Sequence, residues 1–257
     1  MIRIESTSNS IFKQTKKLLS PSNRRKTGMF LIEGERIVKD AISLGAQMEY
    51  ILISDTYQKS TDCNFDGQRV YILSDKLFDE LKSTVNTQGI LAVSKYTDTS
   101  PEDIDYSKGL YLYLDSVTDP GNMGTIIRTA EGAGVDAVFM SKDCVDIYNP
   151  KTIRSTMGSI YRMPFIYIEE IVFLLDEFRK KGIKSYAAHL DGENSYDKED
   201  YRKGTAILIG NEGNGLTDET AGLADTYIRI PMEGKLESLN AAVAAAILMY
   251  EVHRQRG

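Results

Sequence analysis

The stretch 205-TAILIGNEGNGLTDE-219 places an apolar run directly before a turn that contains three glycines. Such a run, bounded by glycine, is typical of a strand buried in a parallel sheet. Glu212 lies inside the turn, where a carboxylate is unfavourable unless it is paired or hydrogen-bonded. Because ligands of open α/β sheets bind beyond the carboxyl ends of the strands, we predict that this turn lines a ligand site.

Strands and helices alternate on both sides of this stretch, which predicts an α/β fold with a mostly parallel sheet and helices on both faces. A smaller α/β series covers residues 1–97. Residues 98–107 are polar, include Pro101 and show no periodicity, so they are a predicted linker. The second predicted domain is 108–257.

The composition of the 257-residue chain, 42% hydrophobic and 26% charged, is that of an ordinary soluble protein. No apolar run approaches the roughly 20 residues of a membrane span, and the N-terminus lacks an apolar signal segment. Cys63 and Cys144 lie far apart and without metal-ligand spacing, which fits a reducing compartment. We therefore expect a cytoplasmic protein without a metal.

Charge is distributed unevenly along the chain. The net charge is −6, yet residues 1–26 carry seven basic side chains and one acidic side chain, so the remaining residues carry −12. This asymmetry indicates either a basic face for nucleic acid or a solvated helix surface, and charge alone does not decide between them. The segment 20-SPSNRRKTG-28 predicts a polar, basic loop.

Two further glycine-rich segments follow predicted strands. In 114-LDSVTDPGNMGTIIRTAEGAG-134, Asn122 could cap a helix or line a site. Arg128 stands in an otherwise small and apolar helix, where a guanidinium normally holds a carboxylate or phosphate. In 230-IPMEGKLESLNAAVAAAILMYE-251, Ser238 and Asn240 lie near the start of a helix predicted from about Ser238 to Arg254, as caps or as ligand contacts.

These turns fit none of the common nucleotide or hydrolase motifs. GNMGTIIR lacks the Gly-Lys-Ser/Thr of a phosphate-binding loop, and GNEGNG lacks the glycine spacing of the dinucleotide fingerprint. Only His189 and His253 could serve a Ser-His-Asp site, and His253 lies in a basic tail. His189 follows the strand SYAA, where it could face the ligand crevice or have a structural role.

Together, in this order and spacing, DPGNMGTIIRTAEGAG, LIGNEGNGL and IPMEGKLESLNAAVAAAI resemble the three motifs of the SpoU (TrmH) class of RNA ribose methyltransferases, in the SPOUT superfamily. The segment YNPKTIRSTMGSIYRMPF is similar to the one that these proteins carry between the first two motifs. The resemblance covers about residues 108–257. Residues 1–97 resemble the smaller RNA-binding domain that many members carry.

The resemblance implies S-adenosylmethionine-dependent methylation of a ribose 2′-hydroxyl in RNA, a C-terminal trefoil knot and a homodimer. The active-site positions that it implies are Asn122, Arg128, Glu212, Ser238 and Asn240. The implied donor-binding positions, which act largely through the backbone, are Gly210, Ile230 and Leu239, to which we add Gly213 and His189 as candidates. The candidate RNA-binding residues are Lys13, Lys16, Lys17, Arg24, Arg25, Lys26 and Arg154.

The resemblance leaves the role of Arg128 open. It could grip an RNA phosphate through two parallel hydrogen bonds, or act as the base that takes the hydroxyl proton, although a guanidinium very rarely loses its proton. We expect Glu212 to pair with or orient Arg128 and Asn122. We also expect the glycines to admit the adenosine of the donor close to the chain, and Arg128 to work beside the donor of the partner subunit.

The extra N-terminal domain favours ribosomal RNA as the substrate, with transfer RNA as the alternative. Two other functions stay open at this point. An RNA-binding protein with an inactive site would bind without methyl transfer, and a dinucleotide-dependent enzyme would share the sheet but lacks the fingerprint. The target nucleotide, its base and any role in antibiotic resistance cannot be predicted from the sequence.

Overall fold

The computed structural model describes residues 1–61, 65, 67–97, 99–107, 109–192, 194–235 and 238–257. Cys63 and Asp98, the first residue of the predicted linker, lie outside these ranges. Within them the helices are α1 Ser10–Lys17, α2 Pro21–Thr27, α3 Glu35–Ser43, α4 Asp55–Ser60, α5 Asp75–Asp79, α6 Pro120–Ala133, α7 Pro150–Thr156, α8 Ile171–Lys180, α9 Asp218–Gly222 and α10 Ala241–Arg256. The strands are β1 Ile2–Ile4, β2 Met29–Glu33, β3 Met48–Ser54, β4 Val70–Leu73, β5 Ile90–Lys95, β6 Leu110–Leu114, β7 Ala137–Ser141, β8 Phe165–Ile168, β9 Lys184–Ala188, β10 Asn194–Ser195, β11 Thr205–Ile209 and β12 Thr226–Arg229.

The chain forms two compact units, which we call the N-terminal unit (Met1–Thr97 with Asp146–Tyr161) and the C-terminal unit (Asp98–Val145 with Arg162–Gly257). The sequence analysis counted 146–161 with the second domain. In the structure this segment packs in the N-terminal unit, because Ile153 and Ile160 are buried there and α7 lies against β2. An apolar pattern predicts burial but does not say in which core.

The N-terminal unit has a five-stranded mixed sheet in the order β1-β4-β3-β5-β2. The predicted loop 20–28 is wrong, because Pro21–Thr27 form α2. Pro21 occupies the first helical turn, where its missing N–H costs nothing, and Gly28 ends the helix in the left-handed conformation at φ +63°. Both helix-end signals, Pro21 and Gly28, are present in the sequence, but the basic and polar composition of the segment led to the prediction of a loop.

The C-terminal unit has a seven-stranded sheet in the order β10-β12-β9-β11-β6-β7-β8, and every pairing in it is parallel. Alternate residues of a strand point to opposite faces. Tyr111 and Leu208 therefore pack in one core cluster with Phe178 of α8, whereas α10 contacts β11 and α6 on the other face. The predicted parallel sheet with helices on both faces is confirmed.

Parallel pairing brings the carboxyl ends of β12, β9, β11 and β6 to the same edge of this sheet, on four neighbouring strands. The residues that follow these strands are Ile230, His189, Gly210 and Asp115. All three glycine-rich segments of the sequence start from this edge. No described helix has the length and hydropathy of a membrane span.

Candidate active site

The N-terminus of α6 presents the side chain of Asn122 to the glycine turn after β11. Asp119 is the N-cap of this helix, and its Oδ1 accepts a hydrogen bond from the Asn122 backbone N–H at 2.8 Å. The alternative that Asn122 is the N-cap is therefore wrong. The Asn122 amide is free to donate from Nδ2 to Oε1 of Glu212 at 3.0 Å.

Glu212 has the hydrogen-bond donors that a carboxylate in a turn requires. Besides Asn122, the backbone N–H groups of Asp119 and Thr118 point at its two oxygens, at 3.3 and 3.4 Å. Partial burial acts to raise the pKa of Glu212, but the hydrogen bonds from Asn122 and the backbone outweigh it and hold this pKa below its ordinary value. The turn after β11 thus presents an anion that anchors the loop from β6 to α6.

A second amide, Asn211, joins the same two loops, and the sequence analysis missed it. Its Nδ2 donates to the carbonyl of Ser116 at 2.7 Å, and its Oδ1 accepts from the N–H of Gly213 at 2.8 Å. Ser116 has φ +54°, a left-handed conformation that is uncommon for residues other than glycine. The available signal was the position of an amide between Gly210 and Glu212, directly after a strand.

Gly210 is required by the turn itself. A Cβ built at this position would lie 2.0 Å from the Gly215 carbonyl carbon and from the Leu216 nitrogen, which no side chain can tolerate. We expected the glycines to leave room for the adenosine of the donor. At Gly210 the missing side chain first leaves room for the backbone of its own turn, at Gly215 and Leu216.

The start of α10 completes the cluster. Asn240 is the N-cap of the helix, so the helix begins three residues later than predicted, and Oδ1 of Asn240 accepts from the N–H groups of Ala242 and Val243 at 2.9 and 3.3 Å. Its Nδ2 donates to Oδ1 of Asn122 at 2.9 Å. Asn240 therefore caps α10 and also contacts Asn122 in the candidate site. The sequence left these two roles as alternatives.

These contacts form a continuous chain of hydrogen bonds from Asn240 through Asn122 to Glu212, which we call the amide relay. It links one residue from each of the three glycine-rich segments. Ser238 lies in the same segment as Asn240 but is exposed and precedes the helix.

Arg128 lies outside the relay. It is exposed, and its guanidinium makes no hydrogen bond or ion pair with any residue in the described ranges. Six residues separate it from Asn122, which places the two side chains about 120° apart around the axis of α6. The expected pairing of Glu212 with Arg128 is therefore wrong within a single chain.

The predicted donor-binding positions share one property. Within the described ranges, the backbone groups of Gly210, Ile230 and Leu239 make no hydrogen bond to another residue. Ile230 and Leu239 are half-buried, and their backbone polar groups are available to hydrogen-bond a ligand. They fit the backbone-held adenosine that the resemblance implies.

The two added donor-binding candidates, Gly213 and His189, already have hydrogen-bond partners within the chain. The N–H of Gly213 is already bonded to Asn211, at 2.8 Å. His189 accepts from the N–H of Asp191 at Nδ1, 3.3 Å away, and its ring lies 5.2 Å from that of Tyr227. Among the described residues, no group of three or more His, Cys, Asp or Glu side chains could hold a metal ion.

The predicted RNA-binding residues all belong to the N-terminal unit, and one of them is buried. Arg24 is 1% exposed and forms an ion pair with Asp146, so its assignment to an RNA-contacting surface is wrong. Lys16 is exposed and pairs with Glu80. The remaining exposed members are Lys13, Lys17, Arg25, Lys26 and Arg154.

Comparison with known proteins places this geometry in context. Residues 109–250 match the SpoU rRNA Methylase family, and residues 9–92 match the MRM3-like substrate binding domain. The chain is 36% identical to the 23S rRNA (guanosine(2553)-2′-O)-methyltransferase RlmP of Bacillus subtilis, over 98% of this chain and 99% of that protein. It is 30% identical to the 23S rRNA (uridine(2479)-2′-O)-methyltransferase of Streptomyces viridochromogenes, over 96% of this chain and 91% of that protein.

Two solved structures with the donor bound are similar. One is the AdoMet-bound rRNA methyltransferase from Sinorhizobium meliloti, with a TM-score of 0.87, 31% identity and coverage of 98% of this chain and 97% of that chain. The other is the SpoU methyltransferase AviRb from Streptomyces viridochromogenes in complex with AdoMet, with a TM-score of 0.87, 28% identity and coverage of 96% and 98%.

Proposed function

The chain belongs to the SpoU rRNA methylase family and is an S-adenosylmethionine-dependent RNA ribose 2′-O-methyltransferase, and from this premise we propose that it methylates ribosomal RNA at a site organised by the amide relay. The relay is the observation that carries the proposal. It joins Asn122, Glu212 and Asn240 at the carboxyl edge of a parallel sheet, where ligands of such sheets bind.

The side chains of this site act mainly by positioning. S-adenosylmethionine supplies the methyl group, and the ribose hydroxyl must approach it in line. Holding the two groups in this geometry lowers the barrier by up to roughly 7–11 kcal/mol. Glu212 fixes the orientation of the Asn122 amide, and Asn240 fixes it from the other side. Arg128 grips the phosphate beside the target ribose.

The donor is held by the backbone groups of Gly210, Ile230 and Leu239. Gly213 can contribute only its carbonyl, because its N–H is bonded to Asn211. His189 borders this region at the end of β9. Ser238 reaches the nucleotide from the segment before α10.

The protein works as a homodimer through the outer faces of α6 and α10. Val243 and Tyr250 on α10 are each 48% exposed, and α10 packs beside α6. An exposed apolar helix face of this kind is typical of an interface between protein chains. In the dimer Arg128 acts beside the donor of the partner subunit, which is consistent with its lack of a partner among the described residues.

The substrate is large-subunit ribosomal RNA. Relatives from Bacillus subtilis and Streptomyces viridochromogenes carry names that specify 23S rRNA, and the chain matches them over nearly its whole length. The N-terminal unit binds this RNA through its exposed basic side chains. The trefoil knot and a cytoplasmic location stay predictions.

The test is methyl transfer from labelled S-adenosylmethionine to ribosomal RNA purified from a strain that lacks the gene, followed by mapping of the 2′-O-methyl position. We expect one labelled nucleotide in the large-subunit RNA. The Arg128→Ala variant, which should still bind the donor, is the control. Label in transfer RNA alone would replace the proposed substrate, and no label in any RNA would refute the proposed activity.

A further inference from the structure

Among the described residues of the N-terminal unit, Arg24 is the most deeply buried charged side chain, with 1% exposure. Its Nη1 donates to the carbonyls of Leu18 and Leu19 at 2.9 and 3.0 Å, at the end of α1. Its Nε and Nη2 both donate to Oδ2 of Asp146 at 3.0 and 2.7 Å. One guanidinium therefore holds the end of α1 and the first residue of the 146–161 segment together.

Asp146 passes this constraint to α7. Its Oδ1 accepts from the backbone N–H of Tyr148 at 2.9 Å, and its carbonyl accepts from the N–H of Asn149 at 2.9 Å. Asn149 is the N-cap of α7, with Oδ1 accepting from the N–H of Lys151 at 2.9 Å. The turn that starts α7 is thus hydrogen-bonded to Asp146 at two points, the carboxylate that Arg24 holds and the backbone carbonyl.

The side chain placed by this turn is Arg154, one helical turn into α7. It is exposed, and its guanidinium makes no hydrogen bond or ion pair with the residues that the structure describes. Arg154 lines a small surface depression together with Leu19, Pro150 and Glu33. It therefore lies near Leu19, two residues after the end of α1.

The acidic groups nearby do not cancel this positive face. Asp146 is neutralised by Arg24, and Glu80 is paired with Lys16. Glu33 accepts hydrogen bonds from the hydroxyl and N–H of Ser83 and keeps its negative charge, because these neutral donors do not cancel it. Against the single charge of Glu33 stand five exposed basic side chains, from two chain segments more than 120 residues apart, so the sum of these charges is positive: Lys13, Lys17, Arg25, Lys26 and Arg154.

We propose that Arg24 and Asp146 are positioning residues for substrate RNA, which set the 146–161 segment so that Arg154 joins the basic face of α1 and α2 on one run of RNA phosphates. The inference rests on the proposed function, because it assumes that the substrate is RNA. Arg24 itself does not touch the RNA. Its contribution passes through Asp146 and α7 to Arg154.

A double-mutant cycle tests this path. The full-length protein and the Asp146→Asn, Arg154→Ala and doubly substituted variants are titrated with in vitro-transcribed 23S rRNA by filter binding at several salt concentrations. Each single substitution should weaken binding about threefold to tenfold and lower the salt slope by about one, as expected for one lost phosphate contact. The double variant should bind within about twofold of Arg154→Ala, because the same contact is lost once.

A second cycle uses Arg24→Lys, which keeps the charge but loses the fork of donors. Arg24→Lys should weaken binding to 23S rRNA by the same factor as Asp146→Asn, and combining it with Arg154→Ala should cause no further loss. This second cycle tests the inference if Asp146→Asn does not fold. Arg3→Met is the matched control, since it breaks an exposed ion pair with Asp55 in the same unit. This control should bind RNA as the wild type does.

Independent, multiplying losses in the double variant would overturn the inference, as would normal binding by both Asp146→Asn and Arg24→Lys. The binding assay requires no methyl transfer. If the wild type binds 23S rRNA without methylating it, the proposed function fails and the cycle still decides the inference. If the wild type binds no 23S rRNA, both fail.

Discussion

The Glu212→Gln variant tests whether the amide relay organises the active site. The carboxylate of Glu212 accepts from the Asn122 amide at Oε1 and from backbone N–H groups at both oxygens. Glutamine has nearly the same shape but one acceptor oxygen and one NH₂ group. In either orientation of the new amide, a donor faces a donor, and Asn122 loses its fixed orientation or the β6–α6 loop loses its anchor.

The size of the effect follows from the type of bond that is lost. A hydrogen bond to a charged group contributes about 1.5–3 kcal/mol. Because Glu212 is half-buried and glutamine keeps one acceptor, we expect the lower end, about 1.5 kcal/mol, in the free energy of unfolding. The misoriented amide acts on the reacting geometry as well, so kcat should fall about tenfold to a hundredfold.

The assay measures kcat for methyl transfer, the Kd of S-adenosylmethionine by calorimetric titration, and the free energy of unfolding. We expect the donor Kd to change by less than about threefold, because we propose that the donor is held by backbone groups rather than by Glu212. Glu219→Gln is the control: it makes the same chemical change on exposed α9. An unchanged kcat in Glu212→Gln, with the protein folded, would refute the role of the relay.

Three further predictions follow from the same geometry. Gly210→Ala places a Cβ 2.0 Å from the Gly215 backbone, so donor binding should be lost and Tm should fall, whereas Gly213→Ala, whose nearest contact is at 3.4 Å, should keep both in titration and melting experiments. Arg128→Ala removes an exposed side chain, so Tm should stay within about 1 °C while methyl transfer drops at least about a hundredfold, and a fully active variant would contradict its role. Because the pKa of Glu212 is lowered by folding, its contribution to stability is complete above the ordinary value of 4.5 and is lost as the pH falls through the folded pKa. Acid unfolding should therefore show the wild type and Glu212→Gln converging in stability at low pH, and a constant difference would contradict the shift.

The parallel sheet and the edge that carries the site were predictable, because both depend on local patterns. An apolar run such as TAILI followed by glycine indicates a buried strand and a turn wherever the rest of the chain lies. Since parallel strands share one edge for their carboxyl ends, Gly210 and Ile230 had to come close together. The loop predicted at 20–28 failed for the opposite reason, because its basic composition outweighed the helix signals of Pro21 and Gly28.

The partners of single side chains were not predictable. Arg24 looks like its neighbours in a basic run, and only its contact with Asp146, 122 residues away, shows that it is buried. Asn122 has the residue type of a helix cap, but Asp119 takes that role three residues earlier. In both cases the sequence shows which chemistry is possible, and the packing of distant segments selects one.

The relay also restricts the role that Glu212 can have. A carboxylate whose pKa lies below its ordinary value is a weaker base than a free one, and both oxygens of Glu212 already accept hydrogen bonds from Asn122 and the backbone. It is therefore poorly suited to remove the proton of the ribose hydroxyl. Its lowered pKa instead keeps it ionised, which holds the amide of Asn122 in one orientation with Asn240 on the other side. Since Arg128 takes no part in this network among the described residues, the cation that we propose contacts the RNA is separate from the anion that orders the site.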